Sequence, residues 1–140
     1  MAYTALDGGT MTTDFITTMP LMQHCGVVVA SATRDEVKGS MPWRAELCTT
    51  FGVLHGGALM AMADSLGAIC AFMNLPANTM TSTIESKTNF FRPVSQGTVH
   101  GTTTPIHVGK TTIVVQTDLR DDAGKRVALV TQTQAVIQPK

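Results

Sequence analysis

Hydrophobic and polar positions divide this 140-residue chain into one long apolar segment and several alternating ones. Nearly every side chain between residues 55 and 74 is apolar or very small, which predicts a helix buried on most of its circumference. Apolar and polar residues alternate in 111–119 and 126–137, a pattern typical of β-strands. The pattern groups Ile113, Val115 and Leu119 on the apolar face of the first of these strands, and Val127, Leu129, Thr131, Ala135 and Ile137 on that of the second.

Turn and cap signals set the bounds of the other elements. Gly109-Lys110 separates two strand-like runs and predicts a hairpin there. Leu75-Pro76 follows the apolar segment and predicts the end of its helix, because proline cannot continue one. The remaining predicted elements are a loose tail over 1–10, a short helix within 12–22 that ends near Pro20, and strands over 27–33, 37–43, 80–91 and 97–108.

One long helix and five or six antiparallel strands predict an α+β domain in which the sheet wraps around the helix. The sequence contains no repeat, linker or low-complexity tract. We therefore expect one domain over residues 1–140, with its core between about 20 and 138.

Composition narrows the classes of function. Ten basic and ten acidic residues cancel, so no net charge favours binding to nucleic acid or to an acidic membrane. Three cysteines without a CxxC pair and four scattered histidines give no metal-binding pattern, and we expect free thiols and no metal. The apolar segment carries Asp64 at its middle, which argues against a membrane span. No leader pattern is visible, so we expect a cytoplasmic protein.

Candidate chemistry lies in and before the apolar helix. Asp64 is a carboxylate in apolar surroundings, which is costly unless something compensates its charge. His55-Gly56-Gly57 places backbone amides near the start of the helix, where the helix dipole is positive. A carboxylate and a set of amide donors are two parts of an acyl-transfer site. Asp64 lies eight residues beyond Gly56, about 12 Å along a helix, so the two groups of one site should come from different chains.

These residues also carry a resemblance to a known family. His55-Gly56-Gly57 with Asp64, then Thr83-Ile84-Glu85 and the segment 89–94 (NFFRPV), resemble the PaaI-type hotdog-fold acyl-CoA thioesterases over roughly residues 20–138. The resemblance implies a hotdog fold, assembled as a homodimer or a dimer of dimers with active sites at the subunit interface. It further implies that no metal or cofactor is used, and that coenzyme A enters as part of the acyl-CoA substrate.

The resemblance also implies roles for individual residues. Asp64 would act as general base or as nucleophile, and the Gly56 amide would stabilise the oxyanion. Thr83, or its neighbour Ser82, would hold the attacking water, although an ordinary sheet threonine is about as well supported. His55 is expected to position the substrate loop rather than transfer a proton. The expected substrate-binding residues are Thr49, Leu54, Gly57, Ser82, and the cationic Arg92 and Lys110 for the phosphates of coenzyme A.

One departure leaves an alternative open. Related enzymes carry Asn or Gln six residues before the motif histidine, whereas this chain has Thr49, whose hydroxyl is shorter than an amide. The leading hypothesis is an acyl-CoA thioesterase for aromatic or medium-chain acyl groups. The alternatives are a non-catalytic protein that binds acyl-CoA as a sensor or carrier, and a hotdog dehydratase for hydroxyacyl thioesters, whose motif this chain does not match.

Overall fold

The computed structural model describes residues 18–139. The predicted tail over 1–10 and most of the predicted first helix lie outside this range. The elements in chain order are α1 (Pro20–Cys25), β1 (Val28–Ala32), β2 (Val37–Pro42), two single-turn 3₁₀ helices (Ala45–Leu47 and Thr50–Gly52), α2 (Gly56–Met73), β3 (Met80–Phe90), β4 (Thr98–Val108), β5 (Thr112–Arg120) and β6 (Arg126–Ile137).

The six strands form one sheet in the order β1-β2-β4-β5-β6-β3, with every neighbouring pair antiparallel. Helix α2 packs against all six strands, so the sheet curves around it. The predicted α+β class, the long central helix and the hairpin after Val108 are thereby confirmed. Strand β3 lies at one edge of the sheet and β1 at the other.

The core lies between α2 and the concave face of the sheet. Met62, Leu66 and Ile69 of α2 are almost wholly buried there. Leu66 lies very close to two glycines of the sheet: a Cβ at Gly39 would be 2.7 Å from one of its methyl carbons, and a Cβ at Gly101 would be 2.6 Å from the other. Because these two residues have no side chain, the helix can approach the sheet at this point.

Helix α2 is long and apolar enough to satisfy the length and composition of a membrane span. Its packing against every strand accounts for this apolar character without a membrane, since the core helix of a wrapped sheet has the same composition. His55 precedes the helix as its N-cap, and the helix ends at Met73, shortly before Pro76.

Helix α1 begins at Pro20, where the missing N–H of proline costs no intrahelical bond, and the predicted helix that ends near Pro20 lies mostly outside the described residues. One prediction about the elements is wrong. In β6 the buried face carries Ala128, Val130, Gln132, Gln134 and Val136, not the set that the apolar pattern grouped. Apolar residues occur on both faces of this strand, so alternation alone did not identify the buried one.

Candidate active site

The start of α2 offers one free backbone donor. His55 caps the helix, and its Nδ1 accepts a hydrogen bond from the Gly57 N–H at 2.8 Å. The Gly56 N–H occupies the first helical position, where no intrahelical acceptor exists, and it donates to no acceptor within residues 18–139. Of the two glycine amides considered in the sequence, Gly56 is therefore available to a substrate, whereas Gly57 is engaged by the histidine.

An open cleft of about 330 Å³ lies beside this donor. Phe90 stands over the glycine, since a Cβ at Gly56 would lie 3.1 Å from the edge of the phenyl ring. The cleft brings together three of the predicted site residues: the apolar Leu54, the backbone donor Gly56 and the cationic Arg92. Its lining is Leu54, Gly56, Leu59, Phe90, Phe91, Arg92 and Pro93.

Asp64 lies two turns further along α2 and is half-buried. Its Oδ1 accepts a hydrogen bond from Thr83 Oγ1 at 2.9 Å and a second from Gln132 Nε2. Its Oδ2 has no hydrogen-bond partner in the part of the chain that the structure describes. One carboxylate oxygen is thus held by the protein, and the other is left open.

Thr83 connects Asp64 to two glutamines of β6. Its hydroxyl accepts from Gln132 Nε2 at 3.1 Å and from Gln134 Nε2 at 2.9 Å. Both glutamines are fully buried. We did not predict them as site residues, because they lie on the face of β6 that the apolar pattern assigned wrongly. No signal in the sequence marks them, because Thr and Gln alternate over 131–134 and the pairing of the strands decides which of the two is buried.

Other predicted site residues lie apart from Asp64 and Gly56. Ser82 is exposed and adjacent to Thr83 in the strand, so it lies on the opposite face of β3. Thr49 is exposed in a loop closed by its own N–H, which donates to the Val53 carbonyl at 2.8 Å, and it lines neither of the pockets beside His55. Lys110 lies in the β4–β5 hairpin, at the end of the sheet opposite to Arg92.

A second pocket of about 310 Å³ lies on the other side of His55, between α1 and α2. Small residues of α2, Ala58 and Ala61, form its floor, and Leu21 of α1 contributes an apolar wall. Cys48 borders it, with Sγ donating to the Arg44 carbonyl at 3.3 Å. His55 lines this pocket, and none of its lining residues lines the Gly56 cleft.

Cysteine chemistry is disfavoured in the core. Cys25 and Cys70 are buried free thiols. Burial raises the pKa of the Cys70 thiol to about 11, so this group stays protonated and weakly nucleophilic at neutral pH. Asp64 is therefore the better candidate for a base or nucleophile in the helix.

Comparison with known proteins decides the family. Residues 51–128, from the loop before α2 into β6, match the model of the thioesterase superfamily. The chain belongs to the thioesterase superfamily. The matched segment of this thioesterase contains His55, Gly56, Asp64 and Thr83, but it ends before Gln132.

Individual relatives agree with this assignment. The proofreading thioesterase EntH of Cronobacter sakazakii is 27% identical over 117 residues, which cover 84% of this chain and 85% of that protein. The crystal structure of a thioesterase from Haemophilus influenzae superimposes with a TM-score of 0.86 at 25% identity, covering 98% of this chain and 94% of the other. A mutant thioesterase from Pseudomonas aeruginosa shares the fold, with a TM-score of 0.86 at 24% identity over 96% of this chain and 99% of that one. The protein is a hotdog-fold thioester hydrolase, as the resemblance implied.

Proposed function

We propose that this thioesterase hydrolyses acyl-CoA thioesters of aromatic or medium-chain acids, with Asp64 and the Gly56 amide supplied by different subunits of a homodimer. The observation that supports this most directly is a pair of groups without a protein partner, one a carboxylate oxygen and the other a backbone donor. Asp64 Oδ2 and the Gly56 N–H have no protein partner within residues 18–139, whereas Asp64 Oδ1 and the Gly57 N–H are both engaged.

The Gly56 amide suits an oxyanion. It points from the positive end of α2, and the backbone N–H cannot lose its alignment as a flexible side chain could. When the thioester carbonyl is attacked, negative charge develops on its oxygen, and a donor fixed beforehand stabilises that charge. Removing one such donor costs about 10²–10³ in rate in characterised enzymes.

Asp64 fits two routes that have the same products. In the first, Asp64 takes a proton from water, the water oxygen bonds to the acyl carbon, and the carbon–sulfur bond breaks with the proton passing to the thiolate. In the second, the carboxylate oxygen itself bonds to the acyl carbon and expels the thiolate, and water then hydrolyses the mixed anhydride. Neither route requires a metal or a cofactor besides the coenzyme A of the substrate.

Strand β3 supports a dimer. It is an edge strand with unpaired backbone groups along its free side, and such edges pair readily with a second chain. It also exposes large apolar side chains: Met80 is 65% exposed, Ile84 64% and Phe90 50%. Antiparallel pairing of two β3 strands would cover these residues and place the two α2 helices side by side. A further pairing of dimers into a tetramer is compatible with the same argument.

The same pairing would gather the cationic residues. Arg92 follows the end of β3, and Lys110 lies at the opposite end of the sheet within one chain. A two-fold axis across β3 reverses one sheet relative to the other. Lys110 of one subunit and Arg92 of its partner would then lie at the same end of the joined sheet, where they could bind the phosphates of coenzyme A.

The proposal is tested by thiol release from a panel of acyl-CoAs. The panel includes phenylacetyl, benzoyl, hydroxybenzoyl, hexanoyl and palmitoyl thioesters, together with a 3-hydroxyacyl-CoA checked for enoyl product. We expect the wild type to release thiol from one class, and Asp64→Asn to lose most of this activity. Asp35→Asn, a neutralised exposed aspartate in the β1–β2 turn, serves as the matched control and should behave as wild type.

The other outcomes each contradict part of the proposal. Full activity in Asp64→Asn would remove the carboxylate from the mechanism. An acyl-CoA that raises the melting temperature of the wild type without being hydrolysed would favour a binding protein, and Thr49→Gln would then be the variant to examine. Enoyl product would indicate a dehydratase.

A further inference from the structure

Gln132 is buried, donates a hydrogen bond to Asp64, and lies beyond the segment that matches the family. We propose that Gln132 is a positioning residue: it fixes Asp64 so that Oδ2 is the reacting oxygen, and Gly67 provides the space in which it does so. This inference rests on the proposed role of Asp64 and adds a residue to it.

The contacts of Gln132 converge on the candidate carboxylate. Its Nε2 donates to Asp64 Oδ1, lies 3.1 Å from Thr83 Oγ1, and lies 3.3 Å from the Asp64 backbone carbonyl. All three acceptors belong to the site, and none belongs to the β-ladder. A single amide therefore links the helix that carries Asp64 to the strand that carries Thr83.

The orientation of the amide follows from its partners. The reverse orientation would place Gln132 Oε1 against the Asp64 carboxylate, with two acceptors facing each other. In the observed orientation Oε1 is buried and has no partner among the described residues, which is an energetic cost to the fold. An apolar side chain of similar length would avoid that cost. The glutamine is therefore poorly explained by packing and well explained by its bond to Asp64.

Gly67 makes this arrangement fit. A Cβ at position 67 would overlap Gln132 Oε1, would lie 2.9 Å from its Cδ, and would lie 3.2 Å from a methyl of Val115. Any larger residue on α2 at this point would displace the amide. Glycine weakens a helix interior, but at this position, one turn after Asp64, it leaves room for the Gln132 amide.

Thr83 fixes the direction of the network. Its hydroxyl accepts from Gln132 and from Gln134, so its single proton is directed to Asp64 Oδ1. Gln134 in turn accepts at Oε1 from Thr81 Oγ1 at 3.0 Å. Thr83 and Gln132 thus both donate to Asp64 Oδ1, whereas Oδ2 accepts from no described residue and is left for a substrate or water.

The test compares Gln132→Met with Gln116→Met. Gln116, a half-buried glutamine of β5 that bonds to Thr131 at 3.3 Å, provides the matched control. We expect Gln132→Met to lower kcat about 10- to 100-fold, the size associated with one hydrogen bond to a charged group. KM should stay within about threefold of wild type, and the melting temperature should be equal or higher because an unpaired buried oxygen is removed. The control should change neither kinetic constant.

Two results would overturn the inference. One is a kcat within threefold of wild type in Gln132→Met. The other is a melting temperature lowered far more than in the control, or failure of both Gln132→Met and Gln132→Val to fold, since either would make the residue structural. Asp64→Asn in the same series separates the two proposals: if it retains activity, the role of Asp64 fails, and if it alone is inactive, only the role of Gln132 fails.

Discussion

At the scale of single residues, the site depends on which polar atoms the fold leaves without a partner. His55 engages the Gly57 amide and thereby distinguishes two adjacent glycines that are equivalent in the sequence. Gln132 and Thr83 engage one oxygen of Asp64 and thereby distinguish the two oxygens of a symmetric carboxylate. In both places a neighbouring side chain engages one of two similar atoms, and the other is the atom to which we assign the chemistry.

The Gly56 donor can be removed with little change to the helix. Proline is favoured at the first helical position and lacks the N–H, and the extended His55 before it already has the backbone conformation that precedes proline. We expect Gly56→Pro to lower kcat by about 10²–10³ while the protein stays folded. Gly56→Ala adds the same crowding against Phe90 but keeps the N–H, so it is the control in a thiol-release assay.

The comparison between these two variants decides the role of the amide. A rate in Gly56→Pro equal to that in Gly56→Ala would mean that the N–H does not act on the oxyanion. Circular dichroism of both variants checks that the helix is retained.

At the scale of elements, α2 forms the centre of the core and also carries the proposed catalytic groups. Its N-cap is a histidine whose ring nitrogen replaces the more usual hydroxyl or carboxylate oxygen. The cap determines where the helix starts, and the start determines where the Gly56 donor lies.

Removing the cap should therefore lower the stability of the protein more than its catalytic rate. We expect His55→Ala to lower the free energy of unfolding by about 1 kcal/mol, as loss of a cap usually does. Urea denaturation measures this, and His24→Ala, another histidine beside the same pocket, is the control. A rate loss in His55→Ala of several orders of magnitude at unchanged stability would instead show that the imidazole transfers a proton.

The sequence predicts the bounds of the helices and strands better than it predicts which face of a strand is buried. The bounds of α2 and of the strands agree with the predictions to within one or two residues, because alternation and turn residues mark them clearly. The buried face of β6 could not be read in the same way. Residues 131–134 alternate Thr and Gln, so no apolar side chain marks the register there, and the pairing with β3 and β5 decides it.

The same distinction holds for the site. Asp64, Gly56 and His55 are recognisable because they form a motif, and the structure adds a hydrogen bond from Thr83 to Asp64 that the motif does not specify. Gln132 is 68 residues from Asp64 in sequence and belongs to no motif, so only the tertiary fold brings them together. The engagement of Gly57 by His55 is likewise a matter of side-chain direction that residue types do not specify.

At the scale of the whole molecule, one chain contains both chemical groups but separates them along α2. The exposed apolar edge at β3 offers a way to complete the site with a second copy. Assembly and activity should therefore be lost together.

Ile84→Glu tests this coupling. Ile84 is 64% exposed on β3, and a charge there should prevent pairing of two edges. We expect a monomer by light scattering and little thioesterase activity. Val28→Glu, which alters a similarly exposed residue on the opposite edge strand β1, should remain a dimer and stay active. A fully active monomer would show that one chain contains a complete site.

The close approach of Leu66 to Gly39 and Gly101 has a consequence for how this protein can diversify. Leu66 follows Asp64 by two residues on a rigid helix, so the depth at which the leucine sits in the sheet also sets the height of the carboxylate above Thr83. A methyl added at Gly39 or Gly101 would come within 2.7 Å of a Leu66 methyl, so Leu66 would have to shift, and any part of that shift passed to the helix would move Asp64 relative to Thr83. New substrate preferences can therefore arise in the loops and the open clefts, whereas these two glycines limit how far the core itself can vary while the reaction is retained.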